Sequence, residues 1–594
     1  MSDFFKKLDG LSPEKRALLA MFLKEKGYEE DALEEEENDY VAPRDEVEEK
    51  LAAIWASVLG LERVGIHDNF FEIGGDSIQS IQIIVRANKA GIGLTSTQLF
   101  KYLTIAELRP VVGASVAASA EQGAVSGPAP LTPIQHWFFD LRLAEPDYWN
   151  QALLLRTRPG LHAGHTEAVF NALLDHHDGL RFRFTSVSGS WQAENQAPGE
   201  RLRFEHLDLS ETPPAERMAL VEALAAERQA GLNLERGPLF HIVLFDFGPD
   251  HEGRLFVLSH HILVDGVSYR ILLEDFENGY AQLQRGEPIT LPPKTTSFKS
   301  WAHKLVEYSQ SGAHHEELDY WLGVNNHAGS IFRDHRGANL ESAADTVETA
   351  LSEAETRQLL NETLHRHGAQ INEVLLTALA SAMAAKTGEP GLLLDLEGHG
   401  REELMPGVDL SRTVGWFTSV FPVFLNIGAA PSPGEALAAV KRCLRDIPHR
   451  GIGYGLLRYL ADPADERVAA LKNGEQPELI FNYLGQFDRV LSQTSPLSPG
   501  EDRYGPSYGP VNHRPYVLNL VSRISGGRLS MTWMYCRKLH DPETIEALAA
   551  AFVAALRGLM NAEPHREAGV APEADLSESD LSGEDLEELL AGDL

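Results

Sequence analysis

Cysteine is nearly absent from this chain of 594 residues. Cys443 and Cys536 are too few and too far apart for a disulfide framework or a zinc site, and each reads as a buried, inert thiol. No uninterrupted apolar run is long enough to cross a bilayer. The amino terminus, MSDFFKKLDG, lacks the basic region and apolar core of a signal peptide. Both absences predict a cytoplasmic protein with no membrane partner. Basic charge is scarce: 52 Lys and Arg against 87 Asp and Glu give a net charge of -35. Nucleic acid, whose phosphates demand a basic surface, is therefore excluded as a partner. Much of the acidic excess sits in residues 29–39 (EEDALEEEEND) and after Arg566, blocks that read as solvated segments or partner-binding tails. No internal repeat is visible.

What is present divides into several domains, because one hydrophobic core does not usually support this length. Residues 1–40 read as a leader, with a short helix over 11–26 (Ser12 as cap, Pro13 in the first turn) ahead of the acidic run. A small helical unit spans 41–112, where Val47, Leu51, Ile54, Trp55 and Val58 recur at helical spacing and a second helix begins near Ser77. Residues 113–130 (GASVAASAEQGAVSGPAP) have the composition of a flexible linker. Residues 131–563 alternate strands and helices: Leu255–Leu258 is a buried-strand run, and Leu272, Phe276 and Tyr280 form a helical stripe after it. That span predicts two α/β lobes with a cleft between them. Residues 564–594 form an acidic tail whose end, SGEDLEELL, is amphipathic but too short to be a stable helix alone.

Two segments carry chemistry. In Asp68–Ser77 (DNFFEIGGDS) two glycines let the backbone turn sharply before a helix. Ser77 then stands at a helix N-terminus, where N–H groups and the dipole favour phosphate. On the residues alone Ser77 is either a helix cap or an attachment point. Far downstream, Ser259-His260-His261-Ile262-Leu263-Val264-Asp265-Gly266 places histidines at a strand-to-helix corner, and imidazole suits proton transfer near neutral pH. A structural histidine or a metal ligand fits the same residues, although zinc wants three or four ligands and no further His/Cys cluster stands at ligand spacing.

The first segment resembles the phosphopantetheine attachment site of nonribosomal peptide synthetase carrier domains. The resemblance implies a small all-α four-helix carrier bearing 4'-phosphopantetheine on Ser77; an aspartate before that serine, here Asp76, is typical of carriers that precede an epimerization domain. The second segment resembles the HHxxxDG signature of the condensation and epimerization superfamily, whose fold is a pair of chloramphenicol-acetyltransferase-like lobes. There the second histidine, here His261, works in the cleft, while His260 and Asp265 hold the corner. Thr132–Phe138, Glu397-Gly398-His399-Gly400-Arg401-Glu402, Thr413–Thr418, Gly451–Gly455 and Phe481–Gln486 resemble epimerization-domain motifs in the family's order. The Glu397 segment is one that condensation domains generally lack. Singly, the Gly-x-Gly-x-Gly run at 451–455 reads as a turn. Tyr269 stands where the family usually has Trp, a swap that keeps an aromatic packing residue.

What the resemblance implies is epimerization, L to D, at Cα of an aminoacyl or peptidyl thioester. Such a reaction needs one proton removed, another delivered to the opposite face, and donors for the developing enolate oxygen. Glu397 and His261 are the implied acid/base couple. Asn482 and Tyr483 stand either as polar aids to the enolate or as structural hydrogen-bond formers. The alternatives are a condensation enzyme joining two carrier-bound substrates and a non-catalytic recruitment platform on the same fold. Expected partners are a phosphopantetheinyl transferase, an upstream adenylating enzyme or module, since no adenylation domain fits before the linker, and a downstream condensation domain docked through the acidic tail. The Met1 start and that tail favour a free-standing unit.

Overall fold

The computed structural model describes residues 40–564 apart from 72, 76, 115–119, 430, 487–490, 492–493 and 501. The leader helix, the acidic run at 29–39, Asp76 and the tail beyond Pro564 lie outside the described residues. Among those described, the first unit holds four helices: α1 (Glu46–Leu59), α2 (Ser77–Lys89), α3 (Ser96–Lys101) and α4 (Ile105–Leu108). Asp45 caps α1 by accepting the Val47 and Glu48 N–H groups, and Gly60 ends it in the left-handed conformation. The stripe Leu51, Trp55 and Val58 closes with Phe70, Ile83, Leu99 and Ile105 into a core of its own.

Two α/β lobes follow, each built on one main sheet, the first with an additional three-stranded sheet. The first sheet orders β9 (Leu497–Ser498), β1 (Asn150–Thr157), β4 (Arg254–His260), β3 (Phe240–Asp246) and β2 (Arg203–Asp208). The second orders β5 (Ala344–Ala350), β11 (Arg528–Cys536), β10 (Leu518–Ser525), β8 (Leu479–Gln486), β6 (Gly391–Gly398) and β7 (Ser419–Asn426). Each lobe has a separate apolar core. The buried run expected at Leu255–Leu258 lies inside β4, and Leu272, Phe276 and Tyr280 bury along α6 (Gly266–Gln284), after α5 (Pro133–Asp140) earlier in the chain. The lobes are stitched together: β9 leaves the second lobe to pair with β1, and Trp416, Phe417, Ile452 and Leu456 bury in the first lobe's core.

Three expectations are modified. The C-terminal part of the expected linker does not run free, because Gly127–Ala129 pairs with Ser190–Asn195 and the Gln122 side chain exchanges hydrogen bonds with the Lys294 backbone. Composition signals flexibility but not the backbone partners a segment finds. The Gly-rich run at 451–455 is not simply a turn: Ile452–Tyr459 is a helix, α7, and a Cβ on Gly453 would lie 2.0 Å from the Glu317 carboxylate. Its glycines serve close packing. Cys536 is buried as expected, but Cys443 is partly exposed at the edge of the second core. Tyr269 is buried, and its hydroxyl donates to the Gln151 carbonyl at 2.6 Å.

Candidate active site

The histidine corner is assembled by local hydrogen bonding. β4 ends at His260, a short 3-10 turn spans His261–Leu263, and α6 begins at Gly266. A carbonyl can only accept, so His260 Nε2 must carry the proton it shares with Pro146 O at 2.8 Å. Its Nδ1 then accepts the Ile262 N–H at 3.2 Å. Both ring nitrogens are engaged within the corner, and complete burial pushes the His260 pKa down to about 3. By the same reasoning His261 donates from Nδ1 to Val264 O at 3.0 Å. That fixes the tautomer whose Nε2 lone pair is left for the cleft. Burial lowers the His261 pKa below the ordinary imidazole value, and the Trp416 ring packs 4.6 Å from it.

Asp265 does more than cap α6. One oxygen accepts the Ser268 N–H at 2.7 Å, the other accepts the Phe417 N–H at 3.1 Å, and both face Arg401 Nη2 at 3.0 and 3.1 Å. Arg401 also donates to the Leu410 and Thr413 carbonyls and stacks its guanidinium 3.9 Å from the centre of the Phe417 ring. The buried Asp265–Arg401 pair thus ties the histidine corner to the Glu397–Glu402 segment and to the Thr413–Thr418 segment. Gly400 makes this crossing possible: it has φ +66, and a Cβ there would come within 1.6 Å of Phe417 O.

Glu397 stands near the end of β6. Side chains alternate along a strand, so Leu392 and Leu394 enter the second core while Asp395 and Glu397 project from the opposite face. β8 runs parallel with Asp395 opposite Ile480 and Leu396 opposite Phe481. The next step in that register brings Asn482 beside Glu397, and Asn482 Nδ2 donates to Glu397 Oε2 at 2.6 Å. Burial, reinforced by the nearby Asp395, raises the Glu397 pKa to about 7. Asp395 is itself raised to about 7 by burial, against the opposing hydrogen bond from Tyr516 OH at 2.8 Å.

Two cavities meet at these residues. The larger, about 520 Å³, is lined by His261, Asp265, Glu397, Asn482 and Tyr483, and on the carrier side by Phe71, Gly75 and Phe100. A second, about 100 Å³, is walled by Trp137, Trp149, Trp416, Tyr508 and the Glu341–Arg514 pair. His261, Glu397 and Thr418 line both. All four residues expected in the cleft therefore share one cavity. Of the two readings open for Asn482, its hydrogen bond to Glu397 is of the structural kind, made inside the cavity itself. Asp395, Arg401, Trp416 and Tyr508 were not singled out by sequence reasoning; only the place of Arg401 and Trp416 inside quoted motifs hinted at them.

The carrier residues fit a phosphopantetheine arm. Ser77 is the first residue of α2. Two positions earlier, a Cβ on Gly75 would lie 2.4 Å from both the Phe70 ring and Phe70 O, so only glycine lets the backbone tuck in at the cavity mouth. The Ser77 side chain lies outside the described residues.

With the geometry in place, comparison defines the class. A phosphopantetheine attachment-site model matches residues 49–109, and a condensation-domain model matches residues 125–573. The chain is 45% identical over 551 residues to one of the linear gramicidin synthase proteins of Brevibacillus parabrevis, covering 92% of this chain and 11% of that protein. It is 35% identical over 572 residues to surfactin synthase subunit 2 of Bacillus subtilis, covering 96% and 16%. The chain thus spans between about a tenth and a sixth of the length of these curated relatives. Among solved structures, the epimerization domain from the third module of tyrocidine synthetase B superposes with a TM-score of 0.70 at 34% identity, over 74% of this chain and 99% of that one. The X-domain from teicoplanin biosynthesis, at 19% identity and a TM-score of 0.59, shares the fold. The chain belongs to the condensation-domain family, as a nonribosomal peptide synthetase carrier domain followed by an epimerization domain. Among the described residues no helix is long and apolar enough to cross a membrane.

Proposed function

We propose that this chain inverts Cα of an aminoacyl or peptidyl group carried on its own phosphopantetheine arm, with His261 and Glu397 as the acid/base couple. The observation that carries the reading is that these two residues, His261 just past the end of the first lobe's β4 and Glu397 on the second lobe's β6, line the junction of the two cavities. When bound, the arm supplies a thioester whose carbonyl acidifies the Cα proton and takes up charge as an enolate. Everything else falls to side chains. One member of the couple takes the Cα proton and the other delivers a proton to the opposite face; the roles exchange in the reverse direction. Burial raises Glu397 to about 7 and lowers His261, so that near neutral pH the pair holds one proton, as transfer in either direction requires. Asn482 orients the Glu397 carboxylate by its 2.6 Å hydrogen bond, and Tyr483, which lines the same cavity, is a candidate aid to the enolate oxygen.

The test is chiral analysis. The holo-protein, loaded with an L-aminoacyl group and then hydrolysed, should release a mixture of L and D amino acid; L alone refutes the proposal. The partners are an upstream adenylating enzyme and a phosphopantetheinyl transferase, with the acidic tail as the docking segment for a downstream condensation domain. Deleting residues 564–594 should leave epimerization intact and impair transfer downstream.

A further inference from the structure

The turn Pro448–Gly451 is strained at a place where the epimerization lobes touch the carrier. His449 (φ 42, ψ 36) and Arg450 (φ 53, ψ 30) both occupy the left-handed region, followed by Gly451 at φ 88. Consecutive non-glycine residues there are costly and persist only when the surroundings impose them. The imposing group is Glu317. Its side chain is 3% exposed and accepts from Trp321 Nε1 at 2.9 Å, while its other oxygen bonds His449 Nδ1 at 2.7 Å. What the strained turn achieves is the placement of the next side chain. The Arg450 guanidinium lies 3.5 Å from the centre of the Phe100 ring, on carrier helix α3. Phe100 in turn packs 5.7 Å from Phe71, and Phe71, Phe100, Gly75 and Arg450 line the mouth of the cavity that holds His261 and Glu397.

We infer that the 448–451 turn is a docking latch: Arg450 reads a carrier domain by the face of an aromatic ring at position 100 and so holds the arm-bearing helix at the cavity mouth. The partner it fits is a carrier whose short third helix presents an aromatic side chain. An arginine over a ring in a partly desolvated contact is attracted by the ring quadrupole, which an aliphatic side chain of similar size does not offer. The inference rests on the proposed function for its catalytic consequence, but the contact itself does not depend on turnover.

The test uses the full chain with Phe100→Ala, Phe100→Leu and Phe100→Trp, in two readouts. The first is the ratio of epimerization of L-phenylalanyl thioester borne on the holo-carrier to that of soluble L-phenylalanyl-pantetheine. This ratio should fall about tenfold for Ala and Leu and persist for Trp. The second is amide hydrogen exchange over residues 447–452 in the same proteins, which should quicken for Ala and Leu and stay protected for Trp. An unchanged ratio and unchanged exchange in Phe100→Ala overturn the latch, as does a Leu variant that behaves like the wild type. Should the wild type epimerize neither thioester while exchange responds as described, the proposed function fails and the latch stands.

Discussion

In the proposed reaction two side chains, His261 and Glu397, hold the chemistry, and burial shifts the protonation of both. Replacing His261 by Ala or Glu397 by Gln should each lower epimerization by about 10²–10⁴-fold, the usual contribution of a positioned acid or base, while circular dichroism stays native. The pH profile follows from the shifts. At low pH both groups carry protons; at high pH neither does; transfer in either direction needs one proton on the pair. With the His261 pKa lowered below 6.5 and Glu397 raised to about 7, the rate should be bell-shaped. It should fall above about pH 7 as Glu397 loses its proton and fall below the depressed imidazole pKa as the pair becomes doubly protonated. Asp395→Asn removes the like charge that adds to the burial effect on Glu397. The alkaline limb should therefore move to lower pH, with Tyr516 still able to donate to the amide oxygen. A limb that does not move would deny Asp395 this role.

Among elements, the crossing of the histidine corner with the Arg401 and Phe417 segments fixes the site. Asp265→Ala leaves Arg401 buried without its partner, a change that typically costs about 3–5 kcal/mol, and thermal melting should show it. The double variant Asp265→Ala/Arg401→Met should recover part of that stability without restoring activity, since the orphan charge is gone but the tether is not rebuilt. This scale also shows what the amino-acid sequence could and could not disclose. The corner was legible, because an apolar run such as Leu255–Leu258 followed by a helical stripe at Leu272, Phe276 and Tyr280 has few other readings. The helix through Trp55 and the start of the next near Ser77 were legible in the same way, whereas the count of four helices came from the family resemblance. The Asp265–Arg401 pair spans 136 residues, and periodicity carries no information over that range. Asn482 meets Glu397 only because β6 and β8 pair in one register. Nor does composition reveal that α7 needs Gly453 for packing or that part of the 113–130 segment joins a sheet.

At the scale of the whole molecule, the carrier and the lobes form one device only if the arm attached at Ser77 delivers its cargo to the cavity between Gly75 and Glu397. Ser77→Ala should abolish the phosphopantetheine adduct seen by intact-protein mass spectrometry and with it all epimerization in cis, while leaving turnover of a soluble pantetheine thioester. Central to all of this is proton exchange at Cα without bond formation, and deuterium reports it directly. The holo-protein charged with an L-aminoacyl group and incubated in D2O should yield amino acid carrying deuterium at Cα in both stereoisomers, with Glu397→Gln and His261→Ala abolishing D product. Recovery of undeuterated L amino acid from the wild type, or a new amide in its place when a second charged carrier is supplied, would contradict the account.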